Sequence, residues 1–362
     1  MMDKSLQVMV MYLLTHIGLI FFMYPTDIIE VVDVGHWSAI LLGFALHVAL
    51  MGIFLKGLGY FAPRNLIDIF LGVGKVFSII LLLPVTLYFL MTIIIDIRAY
   101  SEIVTLVFLA KTPLWVTMVL LLSVPAFISA LGVETLFRSG VLVAILFFPF
   151  LLLIFCLSFQ NADWRYIFPL MDKQAASLSY VVSRPYLLSL FAFTGGFMFL
   201  GFIPPYITYK RRKVMWASAL LLPFFLISVY VPILTFGQST ASRFQFPFIT
   251  AVDTVNISWL MFDRVTLFLL LSLVCFAMLF ISLIMWKTTL LIRRGFPSIR
   301  PVTTTMLLSL AIFIVCLYIP DWKTVERLLW WNTYLRLYVM IVIPFITLFL
   351  GIRHHRKGAA CP

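Results

Sequence analysis

Ten stretches of this chain contain no Asp, Glu, Lys or Arg, and their lengths constrain the fold more than any other feature. They cover 5–26, 37–55, 76–95, 112–133, 139–162, 185–209, 214–242, 265–286, 301–320 and 337–352. A helix rises 1.5 Å per residue, so about 20 apolar residues cross a hydrocarbon core of ~30 Å. The last stretch has only 16 residues, but Arg336, Arg353 and Arg356 flank it and are expected to snorkel to the interface. Composition agrees: 63% of the residues are hydrophobic and 11% are charged, where a soluble domain has about a quarter charged. The sequence predicts an all-α polytopic membrane protein with ten transmembrane helices, forming a single membrane domain over 1–362. The first stretch lacks a small-residue cleavage site and more spans follow it, so it reads as a retained helix.

The formal net charge of +12 does not point to nucleic acid, because the basic residues are spread over short loops between apolar runs. With ten spans, one side of the membrane collects Lys56, Arg64 and Lys75, the run Lys210, Arg211, Arg212 and Lys213, then Lys287, Arg293, Arg294 and Arg300. Basic loops stay in the cytoplasm, which puts both termini there. Lys210 to Lys213 reads as an anchor against anionic membrane lipid. Three of the four cysteines (Cys156, Cys275, Cys316 and Cys361) lie in apolar runs, with no C-x-x-C pair, so no metal and no cofactor are expected. No Walker loop, zinc spacing, G-x-S-x-G or triad is present, and an enzyme is not expected.

The stretches divide into five plus five. The loop 56–75 matches 243–264 in length, and 96–111 matches 287–300, giving a first repeat over about 1–162, a second over about 180–352 and a basic tail at 353–362. Five spans per half make the second half inverted, the arrangement of many secondary transporters. The first stretch reads His16-Ile17-Gly18-Leu19-Ile20 and stops at Tyr24-Pro25; its partner, the sixth, reads Thr194-Gly195-Gly196-Phe197 and then Pro204-Pro205. Glycine in a helix interior costs about 1 kcal/mol relative to Ala. Breaks at matching positions predict a midplane binding pocket built from Ile17, Gly18, Leu19, Ile20, Thr194, Gly195, Gly196 and Phe197. Close helix packing is the competing reading of these glycines.

His16, His47, Thr266 and Ser272 are the polar contributors within reach of such a pocket, although His47 is read first as a neutral histidine bonded to a neighbouring helix. Arg98 with Glu102, and Glu134 with Arg138, have the i,i+4 spacing of helical ion pairs. The segment 321–336, with Trp322, Trp330 and Trp331, reads as an interfacial helix, and 238–259 as an outer lid helix.

Several short motifs occur in a fixed order. They are Ile17-Gly18 with Pro25, Gly74-Lys75, Thr112-Pro113, Gly132-Val133-Glu134 with Arg138, Asp163-Trp164 with Phe168-Pro169-Leu170, and Phe262-Asp263-Arg264. In these the chain resembles the B subunits of GerA-type spore germinant receptors, the endospore germination permeases of the amino acid–polyamine–organocation superfamily. The resemblance implies a LeuT-like fold, the spore inner membrane, assembly with A and C subunits, and sensing of an amino acid or similar small nutrient. It departs from the family at Ile20 and at Gly196-Phe197, where relatives often carry a glycine and an acid. Two alternatives stand beside nutrient sensing: a proton- or sodium-coupled amino-acid permease, and a structural subunit without a ligand.

Overall fold

The computed structural model describes residues 3–107, 109–172, 175, 177–194, 197–255 and 265–359. Among them every regular element is a helix. Seven helices are long and apolar enough to cross a membrane, and eight if the bent pair at the N-terminus is one span. Pro301–Leu317 is apolar but shorter, and the 184–209 region holds only short helical pieces.

The first span is two helices, α1 (Lys4–Ile20) and α2 (Tyr24–Val31), bent by 58°. Pro25 sits in the first turn of α2, and its missing N–H and its ring stop α1 from running on. The break therefore falls at 21–23, three residues beyond the predicted Gly18. Gly18 stays helical and serves the packing reading instead: a Cβ there would lie 2.9 Å from the Ala277 backbone nitrogen. Behind it come α3 (His36–Gly59), α4 (Leu66–Leu71), α5 (Lys75–Val107), α6 (Leu114–Leu131) and α7 (Val133–Leu157). Thr112 donates its amide to the Leu109 carbonyl, and Pro113 takes the N-cap position of α6. Gly132 separates α6 from α7 with φ +93°, a left-handed conformation that side chains rarely adopt.

The sixth stretch is interrupted. α8 (Arg184–Ser189) begins at a Ser183 cap, a four-residue helix follows at Phe191–Thr194, and a 3₁₀ turn covers Met198–Gly201. Gly195 and Gly196 lie outside the described residues, and of Thr194 only the backbone is described. The seventh span is built from α9 (Arg211–Ala219) and α10 (Leu222–Phe236). The predicted lid over 238–259 is instead two short helices, Gln238–Ala241 and α11 (Pro247–Asp253), because Pro247 must open a helix rather than continue one. Residues 256–264, including the Asp263-Arg264 motif, lie outside the described part.

α12 (Val265–Gly295) is the central helix, the most buried of the spans, packed on α1, α5, α6 and α7. It continues well past the predicted end at 286, so Lys287 is not a loop residue but a fully buried one. α13 is Pro301–Leu317. The segment 321–336 is corrected as well. It is not a separate interfacial helix: α14 (Trp322–Leu337) runs through a π turn at Tyr338–Val342 into α15 (Ile343–Ala359). No proline or glycine lies between Trp322 and Ile343, and Pro344, just after the π turn, is accommodated there without ending the helix.

The outer faces of α5, α6, α7 and α13 expose Ile79, Ile80, Leu120, Phe127, Leu142, Ile145, Met306 and Leu310. In water so continuous an apolar surface would drive association. With the span lengths it identifies the lipid belt of a membrane protein.

Candidate functional site

Helix ends inside a membrane leave backbone groups without partners, and other elements must satisfy them. At the end of α1 the Tyr100 hydroxyl, from α5, donates to the Gly18 carbonyl at 2.5 Å. At the end of α2 the Gln238 amide donates to the carbonyls of Ile29 and Val32. At the end of α8 the Arg336 guanidinium donates to the carbonyls of Leu187 (3.4 Å) and Leu188 (2.9 Å). Arg336 is only 1% exposed, so it points into the protein and does not snorkel as the sequence reading expected.

These caps hold open a pocket of about 340 Å³ where α2, α8 and α14 meet. Asp27 and Glu30 come from α2, Arg184 from α8, Gln245 from the connection before α11, and Glu326 and Leu329 from α14. The Thr26 hydroxyl donates to the Gln245 carbonyl, and the Trp322 indole donates to Glu326 at 2.7 Å. Leu329 also borders a second, separate cavity of about 20 Å³, lined by Leu19, Tyr88, Thr92, Asp96, Phe191, Phe280, Asn332 and Arg336. That volume holds about one water molecule. Among the described residues, Asp96 Oδ2, Asn332 Oδ1, Arg336 Nε and Asp27 Oδ2 find no hydrogen-bond partner.

Deeper between the broken spans lies a packed aromatic cluster. The Tyr12 hydroxyl and His47 Nε2 are 2.6 Å apart, so His47 is hydrogen-bonded to the neighbouring helix α1. His16 Nδ1 lies 2.7 Å from the Tyr12 carbonyl, and since a carbonyl only accepts, that nitrogen carries the proton. The His16 and His47 rings meet edge to face at 5.1 Å, and His47 packs on Phe193 and Phe197.

Of the predicted pocket, Ile17, Ile20 and Phe197 are fully buried, Gly18 is a packing contact, and Leu19 lines the inner cavity. Thr266 spends its hydroxyl on Asp253 (2.8 Å), and Ser272 on the Phe268 carbonyl one turn back (2.7 Å). The two i,i+4 pairs form. Arg98 reaches Glu102 at 2.5 Å and, only 2% exposed, also holds the connection after α13 through the Ile319 and Pro320 carbonyls. Glu134 and Arg138 stand 3.6 Å apart on an exposed face.

Of the described motif residues, Pro25, Lys75, Pro113, Gly132 and Asp163 stand at helix boundaries. The family model described as "Spore germination protein" matches residues 4–324. The chain belongs to the spore germination protein family. Comparison with curated proteins gives no match.

Within this germination protein, sequence reasoning missed Asp27, Arg336 and Lys287 and gave Asp96 no role in a site. Each abuts a charge-free stretch, at 26, 337, 286 and 95, so each looks like a charge at the membrane surface. The available signal was helical continuation beyond the stretch: Pro25 opening a new helix, and 322–343 without a proline or glycine.

Proposed function

We propose that this membrane protein is the nutrient-sensing subunit of a spore germination receptor, built on a ten-span, LeuT-like scaffold of two inverted five-helix halves. It sits in the spore inner membrane with both termini in the cytoplasm, and works with A and C subunits. The single observation that carries the reading is the outer pocket of about 340 Å³ at the junction of the two interrupted spans. Pockets for small ligands begin at about 300 Å³ and carry a few convergent polar groups. Here those groups are Asp27, Glu30, Arg184 and Glu326. A bound nutrient biases the packing of α2, α8 and α14, and that bias is what the partner subunits read.

The test is a labelled amino-acid pool offered to the full chain in sealed proteoliposomes, with permeabilised vesicles as the binding control. Saturable binding without accumulation is expected. Accumulation that collapses on permeabilisation would make the chain a coupled permease. Absence of binding would leave a structural subunit.

A further inference from the structure

The inner cavity is an unusual place for charge. Arg336 is 1% exposed and uses one terminal nitrogen on the two carbonyls of α8, while its Nε–H points to no acceptor. Across the same cavity Asp96 presents Oδ2 without a donor, and no ion pair within 4 Å joins Asp96 to Arg336. Asn332 is 2% exposed; its amide donates to Thr92, whose hydroxyl donates to the Tyr88 carbonyl, and this relay leaves Asn332 Oδ1 unpartnered. A structural ion pair in a membrane interior closes to direct contact, because unpaired buried ions cost several kcal/mol each. This pair is instead held apart, with the guanidinium pinned by α8 and the carboxylate fixed on α5. Tyr88 also borders the cavity, and the remaining walls are apolar: Leu19, Ile95, Phe191, Phe280 and Leu329.

A donor site facing an acceptor site across a small chamber matches the chemistry of a zwitterion, with one cationic and one anionic group. We propose that Asp96 with Asn332 Oδ1 receives the α-ammonium, and Arg336 the α-carboxylate, of a small amino acid. This assignment rests on the nutrient-sensing reading above and names its ligand-contacting residues. It also supplies the ammonium partner that Gly196-Phe197 does not. Leu329 marks the way in, because it lines both the outer pocket and the inner cavity. Its side chain, 5% exposed, is the wall between them. A change in its rotamer joins the two spaces, and the closed chamber keeps room for a single water.

The experiment uses the purified full chain in nanodiscs and the twenty proteinogenic L-amino acids as probes, read by thermal shift and isotope binding. For each amino acid that binds, its amide (no carboxylate) and its deaminated acid (no ammonium) are compared on the unmodified protein. Both analogues are expected to bind at least about tenfold more weakly, since each leaves one buried charge unpaired. Asp96→Asn is expected to weaken the amino acid while sparing the deaminated acid, and Arg336→Gln to weaken the amino acid while sparing the amide. Leu329→Ala, which touches neither charge, is expected to speed association several-fold with the same analogue preference. Amino-acid binding with no discrimination against the analogues overturns the assignment even where the charge variants do not fold. Folded Asp96→Asn and Arg336→Gln proteins that bind like the unmodified chain overturn it alone. No binding of any amino acid overturns the nutrient-sensing reading together with it.

Discussion

Lys287 separates the electrostatic terms with unusual clarity. Its ammonium is fully buried on α12, has no hydrogen-bond partner among the described residues, and lies 4.2 Å from the centre of the Phe89 ring. A desolvated cation–π contact contributes about 2 kcal/mol, while removing the ammonium from water costs several. The cost exceeds the gain. Lys287→Met keeps the length and apolar stem of the side chain, so the melting temperature in detergent is expected to rise, by the equivalent of ~1–4 kcal/mol. A fall would mean that the ammonium has a stronger partner than the ring. Arg98 is the contrast. It is just as buried, but it is satisfied by Glu102 and two carbonyls, and its pairing with Glu102 was legible from spacing alone. Spacing along one helix is written in the sequence. The Asp96–Arg336 juxtaposition brings together helices 240 residues apart, and nothing local announces it.

At the scale of elements, the broken first span was legible, and its break was misplaced by three residues. Gly18 and Pro25 are both helix breakers in principle, but only Pro25 lacks the N–H that continuation needs. Gly18 instead lets α1 and α12 touch through their backbones. Gly18→Leu is therefore expected to push those helices apart and to cost ~1–3 kcal/mol by overpacking, seen as earlier thermal unfolding rather than as a selective loss of ligand. Ordinary melting with lost binding would return Gly18 to the pocket. The short turn Trp164–Ile167 outside the membrane offers a pH test. Asp163 caps it and pairs with Arg165 at 2.6 Å, and these bonds lower its carboxyl pKa to about 2. A lowered pKa stabilises the folded turn above the ordinary carboxylate value, and that stabilisation is lost as pH falls through about 2. Cleavage of this loop by pepsin is expected to be slower than in Asp163→Asn at pH 4 and to approach the variant's rate near pH 2, after correction for the enzyme's own profile. Equal pH dependence in both proteins would remove the cap.

For the whole molecule, charge-free stretches revealed the helical membrane architecture because hydrocarbon leaves few other choices. They could not reveal where a helix outlasts the bilayer, since a charged flank reads the same on a helix as in a loop; α12 and the α14–α15 pair show this. Orientation has a direct check. In a chain with its native cysteines replaced, a cysteine at Arg165 is expected to react with an impermeant maleimide in intact cells. One at Arg212 should react only after permeabilisation, and the reverse pattern would invert the topology. The long final helix has a mechanical consequence. Its 35-residue stretch, Trp322–Arg356, is about 52 Å from end to end. Trp322, Glu326 and Leu329 border the outer pocket at one end, while His354 and His355 pack on Phe61 and Tyr60 at the other. A rod of that length pivoting by about 5° at its centre carries each tip through roughly 2 Å in opposite directions. Leverage of this kind turns a small widening around a solute on one face of the membrane into a sideways stroke on the other, with no signal passed from residue to residue.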